Sequence, residues 1–258
     1  MNRELVSIIM PSYNCGKFVE ETIRSVQAQT YQNWEIIFVD DCSTDDTIRR
    51  VSAIREKDDR IHLFQNVYNS GAAVSRNNAL REAKGRWIAF LDSDDLWKPE
   101  KLEHQIHFME DNGYSFSCTE RDVIDEESNP VGQYITGPDV ITKAGMRRYC
   151  WVGCLTVMYD AHKVGLIQIE DIKKNNDYAI WLKVIKKCNC YLLKENLASY
   201  RQRKGSISHD KLSKLIKSHY ILWHEAEGKS PIVSMVLTFQ NLFFGVMKRL
   251  KYVSKVNK

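Results

Sequence analysis

GRWIAFLDSDDLW, residues 85–97, runs from a strand-like apolar segment straight into three carboxylates. Trp87 to Leu91 has the length and continuity of a strand buried on both faces, and Asp92, Asp94 and Asp95 follow at once. Pro99 then stands at a first helical position and opens PEKLEHQIHFME. Toward the N-terminus, LVSIIM (5–10) and EIIFV (35–39) read as similar strands, and Ile61 to Phe64 as another. Between them lie helical patterns. Phe18, Val19, Ile23 and Val26 mark one face, Ser43 with Asp46 three residues on signals a capped helix, and Ala72 to Ala83 forms a third. Strand and helix alternating about three times predict an α/β fold, a mostly parallel central sheet flanked by helices. Ligands on such sheets bind beyond the carboxyl ends of the strands. Those ends carry the loop from Pro11 to Gly16 with Ser12, Tyr13 and Asn14, then Asp40 and Asp41, then the DSDD acids.

From Tyr114 to about Tyr159 the apolar segments shorten and are broken by Asp125 to Pro130 and by Gly137-Pro138, which predicts a smaller mixed-sheet region. A helix over about Asn175 to Lys187, a strand from Tyr191 to Tyr200, the loop RQRKGSISH and two C-terminal helices complete the chain.

The 258 residues, 43% of them apolar, exclude a disulfide-stapled miniprotein, a fibrous repeat and a disordered tail. A net charge of +4 is too mild for a dedicated nucleic-acid binder. It is also uneven, because residues 201–258 carry 12 basic and 3 acidic side chains. Seven cysteines, an odd number in apolar settings, read as reduced thiols, and the N-terminus has no apolar run of signal-peptide length. Pro231 to Lys255 falls short of a spanning helix by continuous apolar length, and it ends in Lys248, Arg249, Lys251, Lys255 and Lys258 without an acid. Such a segment either packs on the body or lies on an anionic bilayer surface.

Asp92 and Asp94 can converge in one turn held by rigid structure. Hard carboxylate oxygens with open positions suit Mg²⁺ or Mn²⁺ bridging phosphates, and a cation relieves their mutual repulsion. The competing reading is a solvated acidic turn at a helix start. Asp45 and Asp46 read as first-turn charges favoured by the helix dipole. Arg76, near the start of its helix, is placed either to meet a diphosphate or to organise the acids, or else it is a plain surface cation.

The ordered set VSIIMPSYN (6–14), IIFVDDCSTDDT (36–47), NSGAAVSRNNAL (69–80), GRWIAFLDSDDLW (85–97), NNDYAIWLKV (175–184) and YRQRKGSIS (200–208) resembles a family 2 glycosyltransferase of the GT-A nucleotide-diphospho-sugar fold. The likeness is to bacterial enzymes of surface-polysaccharide synthesis, and the C-terminal helices loosely resemble those of teichuronic-acid-type glycosyltransferases. The resemblance implies a nucleotide-sugar half over 1–112, an acceptor and catalytic-base half over 113–208, and a helical extension with a basic tail over 209–258. It implies that Pro11, Ser12 and Tyr13 border the base of a UDP-sugar, that Asp41 accepts from the uracil, and that Arg76 lies near the same nucleotide. Asp92 would face ribose and metal, Asp94 would be the principal ligand of Mn²⁺ or Mg²⁺, and Asp177 would be the catalytic base.

Two positions depart from the family pattern. Asn176 stands where a Glu is usual, and Arg203 stands where many members have a metal-binding His; an Arg there can pair with phosphate oxygens. His209 is the reserve ligand, against the simpler reading of an exposed histidine. No Gln-x-x-Arg-Trp element is found, so the expectation is non-processive, inverting transfer of one hexosyl or N-acetylhexosaminyl unit to a saccharide or lipid-linked saccharide. The protein would work in the cytoplasm, at the inner face of the cell membrane. The alternative is a non-catalytic nucleotide-sugar-binding protein on the same fold.

Overall fold

The computed structural model describes residues 4–203 and 212–255. Four strands, β1 (Val6–Ser12), β2 (Trp34–Asp40), β3 (Ile61–Gln65) and β4 (Trp87–Phe90), pair in parallel in the order β4-β1-β2-β3. Every residue of β1 and β2 is buried. Their side chains alternate between two apolar layers: Ile9, Ile37, Ile88 and Phe90 enter one, and Ile8, Met10, Phe38 and Ala89 enter the other. That two-sided burial is why the strands read as continuous apolar runs. Helices α1 (Val19–Gln27), α2 (Thr47–Arg55) and α3 (Ala72–Glu82) make the crossovers, and α4 (Lys101–Asp111) follows the short β5 (Leu96–Trp97).

Beyond β4 the sheet turns mixed. β6 (Phe116–Ile124), β7 (Pro130–Ile135) and β9 (Met158–Asp160) continue it through antiparallel pairs, with β8 (Val140–Ile141) and the long β10 (Cys190–Arg201) joined alongside. β10 runs parallel to β6 with two register shifts. Helices α5 (Lys143–Arg148), α6 (Ala161–Val164) and α7 (Asn176–Val184) cover this half. After α8 (Leu212–Ile221) and a π-helical turn (Leu222–Ala226) comes α9 (Pro231–Tyr252), and β11 (Val253–Lys255) pairs with β7 at the sheet edge. The seven cysteines are free thiols.

Four local expectations need correction. Pro11 and Ser12 belong to β1, not to the loop: β4 pairs with β1 only as far as Ile9, so the N–H that Pro11 lacks falls on a side with no strand left to bond. Ser43 does not cap α2. Its backbone N and hydroxyl both donate to Asp40, and the helix begins four residues later. Asp45 and Asp46 precede the first helical turn, where Asp45 accepts from Thr47 N and Gly16 N and Asp46 pairs with Arg49 and Arg50. Pro99 lies two residues ahead of α4 rather than at its first position.

Candidate active site

The carboxyl ends of β1, β2 and β4 meet in one place, and each is fixed by side chains from elsewhere. After β1, Asn14 takes a left-handed conformation (φ 48°), which Asn tolerates, and its Oδ1 accepts from Thr44 N at 2.8 Å. This locks the loop after β2 onto the loop after β1. Asp41 is buried and accepts from Asn66 Nδ2 (2.8 Å), Ser70 N (2.7 Å) and Gly71 N (2.7 Å), so it holds the loop that leads into α3. Three bonds to protein leave it little capacity for a base. Ser12 Oγ, in contrast, is buried with no hydrogen-bond partner among the described residues, and Tyr13 beside it is half exposed. A buried hydroxyl in that condition at a strand end fits a bound polar ligand.

The three acids of the 92–95 turn point three ways. Asp92 pairs with Arg76, which rises buried from the second turn of α3 and also donates to Asn176 Oδ1. Burial works against the Arg76 charge, but Asp92 and the nearby Asp177 more than restore it. Asp94 meets Arg203 Nε at 2.7 Å. Burial holds the Asp94 carboxyl above its ordinary pKa, Arg203 pulls it down, and Asp92 pushes it up again. Asp95 turns inward, fully buried, and accepts from Arg201 N at 2.8 Å; burial and then its two acidic neighbours raise it well above the usual range.

Arg201, at the end of β10, is the group that reading the sequence missed. It is buried and donates to Asp94 O (2.6 Å), Ser128 Oγ (2.8 Å) and Glu21 Oε2 (2.7 Å), so it ties the acidic turn to α1 and to the β6–β7 connection. The available signal was its place in RQR directly after a strand, where one cation is structural and the next, Arg203, faces the acids.

Helix α7 supplies Asp177 in its first turn, after Asn175 in a left-handed conformation. Burial raises the Asp177 carboxyl above its ordinary value, with Arg76 opposing and Asp92 reinforcing. Trp181, one turn on, is fully buried and meets Phe90 edge-on at 4.8 Å. Asn176 explains its own departure from an acid. As a neutral acceptor for Arg76, it leaves that guanidinium's charge to Asp92.

Pro11, Ser12, Asp41, Arg76, Asp92, Asp94, Asp177 and Arg203 thus gather around the strand ends, and Arg76 joins the acidic turn to α7. His209 lies outside the described residues. Among those residues no three His, Cys, Asp or Glu side chains close around an ion. Asp92 and Asp94, partly open to solvent, offer hard oxygens with positions to spare, which is the donor chemistry of a divalent cation completed by phosphate oxygens and water. The surface hollow lined by Ser52, Arg55 and Glu56 on α2 includes none of these groups.

The family model described as Glycosyl transferase family 2 matches residues 7–157. The chain is 42% identical over 226 residues, 87% of its length and 89% of the relative's, to a Bacillus subtilis (strain 168) protein described as a teichuronic acid biosynthesis glycosyltransferase, TuaG. It is also 42% identical over 221 residues, 85% of its length and 86% of the relative's, to the Escherichia coli UDP-Glc:alpha-D-GlcNAc-diphosphoundecaprenol beta-1,3-glucosyltransferase WfaP. Among solved structures, S. aureus TarS 1-349 in complex with UDP-GlcNAc superposes with a TM-score of 0.72 at 20% identity, covering 96% of this chain and 74% of that one, which establishes the GT-A fold. With motifs, fold and relatives in agreement, the chain belongs to glycosyl transferase family 2 and is a glycosyltransferase.

Proposed function

We propose that the protein transfers a single sugar, with inversion, from a UDP-sugar to a saccharide carried on a lipid diphosphate, at the cytoplasmic face of the membrane. The observation that carries this reading is the Arg76 junction, which binds Asp92 on the donor side and Asn176 beside Asp177 on the acceptor side. Residues 1–112 would hold the donor, 113–208 would present the acceptor and the base, and 209–258 would form the C-terminal extension.

In this scheme Pro11, the unpartnered hydroxyl of Ser12, and Tyr13 border the uracil, while Asp41 shapes the adjoining loop and offers its remaining lone pair to the base. Asp92 and Asp94 would hold Mn²⁺ or Mg²⁺, which when bound neutralises charge on the donor diphosphate. Arg203 pairs with Asp94, and its guanidinium fork would also meet phosphate oxygens of a donor held there. Asp177 takes the proton of the acceptor hydroxyl while that oxygen attacks the anomeric carbon from the face opposite the diphosphate. The bond to the diphosphate breaks and its electron pair leaves with the nucleotide, which inverts the centre. The raised pKa of Asp177 suits it to accept that proton. The relative WfaP, named for UDP-Glc and a diphosphoundecaprenol acceptor, supports both the donor nucleotide and the lipid-linked acceptor.

The test is release of UDP from UDP-glucose and UDP-N-acetylglucosamine by the purified protein, with and without a synthetic lipid-diphosphate monosaccharide, in Mn²⁺ or chelator. Acceptor-dependent release that stops in chelator is the expected result. Donor binding with no transfer to any lipid-linked or free saccharide would instead identify a binding protein.

A further inference from the structure

Helix α9 is built the wrong way round for a helix that covers a core. Its inward face is mainly polar: Ser234, Thr238, Asn241 and Lys248 are buried there, and Leu237 is the one apolar side chain of the helix to join them. Asn241 Nδ2 donates to Arg147 O (3.1 Å) and Arg148 O (2.7 Å), and its Oδ1 accepts from Trp223 Nε1 (2.8 Å). Lys248 Nζ donates to Cys150 O (3.1 Å) and Trp151 O (2.8 Å). The outward face is apolar. Ile232, Val236, Phe239, Phe243, Val246 and Leu250 are between 57% and 80% exposed, and their spacing of four and three residues sets them in one stripe.

The charges fit the same face. At about 100° per residue, Arg249 and Lys251 fall on opposite flanks of the stripe, where long side chains can carry charge away from an apolar contact. Lys255 follows in β11, and the sequence holds no acid after Glu227. An apolar stripe between cations, with no carboxylate to repel phosphate, complements an anionic lipid surface. A second copy brought against this face would add more cations and no acid to pair them. By length and composition the helix could cross a bilayer, but crossing would strip Asn241 and Lys248 from the carbonyls they satisfy. It is shaped to lie on the surface.

We propose that α9 docks the protein on an anionic bilayer, with the 232–250 stripe sunk among the headgroups and Arg249, Lys251 and Lys255 paired with lipid phosphates. This sharpens the proposed membrane location and stands independently of the sugar-transfer chemistry. It also has a geometric consequence, because Asn241 on the inner face lies 3.5 Å from the hydroxyl of Tyr178, the residue after Asp177. Docking therefore sets the base-bearing helix beside the lipid, where a lipid-linked acceptor would be presented.

The experiment is co-sedimentation of the full chain with vesicles of phosphatidylglycerol and phosphatidylethanolamine, against vesicles of phosphatidylcholine alone, at low and high salt. No donor or acceptor is present, so its outcome is separate from that of the transfer assay. Expected is binding to the anionic vesicles that weakens at high salt, and a loss of at least about tenfold in partitioning for Phe239→Ser/Phe243→Ser and for Arg249→Gln/Lys251→Gln. All four side chains are exposed, and unchanged thermal melts would verify folding. A parent protein that stays in the supernatant would overturn the proposal. So would a Phe239→Ser/Phe243→Ser protein that partitions like the parent, or a parent whose stripe closes a dimer by ultracentrifugation and ignores vesicles.

Discussion

The turn at 92–95 and helix α9 both run against the usual gradient of polarity, in opposite directions. The turn draws carboxylates inward, and each finds a partner on another element: Arg76 from the neighbouring α3 and, from more than a hundred residues later, Arg203 and the backbone of Arg201. The helix settles Asn241 and Lys248 on backbone carbonyls and leaves its apolar stripe open. Polar burial therefore means two things in one molecule. At the strand ends it concentrates charge where a reacting diphosphate would sit, and under α9 it only fastens the helix to the body. Substitutions can separate these meanings by whether they move activity or stability.

The largest effect belongs to Asp177. Asp177→Asn keeps the shape and removes the proton acceptor, so turnover should fall by about 10²- to 10⁴-fold, the range for loss of a general base, while UDP binding measured by calorimetry is retained. Retained turnover would move the base elsewhere and reduce the Arg76 junction to a structural tie.

Next comes the same isosteric change at adjacent positions. Asp94→Asn should cost roughly 10²-fold in turnover with weakened Mn²⁺ dependence, because half of the carboxylate pair is gone. Asp95→Asn keeps an acceptor for Arg201 N and removes a buried charge held far above its ordinary pKa, so activity should stay near parental and the melting temperature should hold or rise. Asp95→Ala removes the acceptor as well and should cost roughly 1–3 kcal/mol of stability. Equal losses of turnover in the two Asn variants would abolish the distinction between the site-facing acid and the structural one.

The pH dependence sharpens the same contrast. As the proposed base, Asp177 would act only when ionised, and burial sets its pKa above the ordinary 3.8 against the pull of Arg76. The acid limb of kcat should therefore fall at a pH above an ordinary carboxylate's, as protonation takes the base away. Arg76→Gln removes the opposing charge and should shift that limb further upward. A limb that stays fixed in Arg76→Gln would show that another group titrates.

Most of the cluster at the strand ends was legible in the sequence because its logic is local: an apolar run, then polar residues at the strand's carboxyl end. Ser12, Asp41, Asp92 and Asp94 lie where that rule puts them. The division of labour within the acidic turn was not legible, since Asp94 and Asp95 are identical in type and adjacent. Only the return of β10, more than a hundred residues later, assigns one to Arg203 and the other to the backbone of Arg201. The same limit hid the orientation of α9. Periodicity draws a stripe on a helix, but the side that meets the body was fixed by carbonyls at 147–151, which no pattern within 231–252 encodes.

The smallest effect tests that fastening. Burial pushes Lys248 down to about 7 from its ordinary 10.5, and Lys101, beneath Trp97, down to about 7 as well. Between those two pH values the unfolded chain holds protons on both lysines that the folded chain has released. For these two lysines the unfolded state thus binds more protons, and their contribution to stability rises as pH climbs through that window. The buried thiols of Cys15, Cys150, Cys154, Cys188 and Cys190, pushed above their ordinary 9.0, contribute in the opposite sense near its upper end. Lys248→Met lowers the melting temperature at every pH, because the carbonyls of Cys150 and Trp151 lose their donor. The decisive quantity is the difference in slope: relative to the parent, Lys248→Met should lose the part of the pH dependence between pH 7 and 10 that Lys248 contributes, while the parts of Lys101 and of the buried thiols stay. An unchanged slope would mean that Lys248 stays charged under α9.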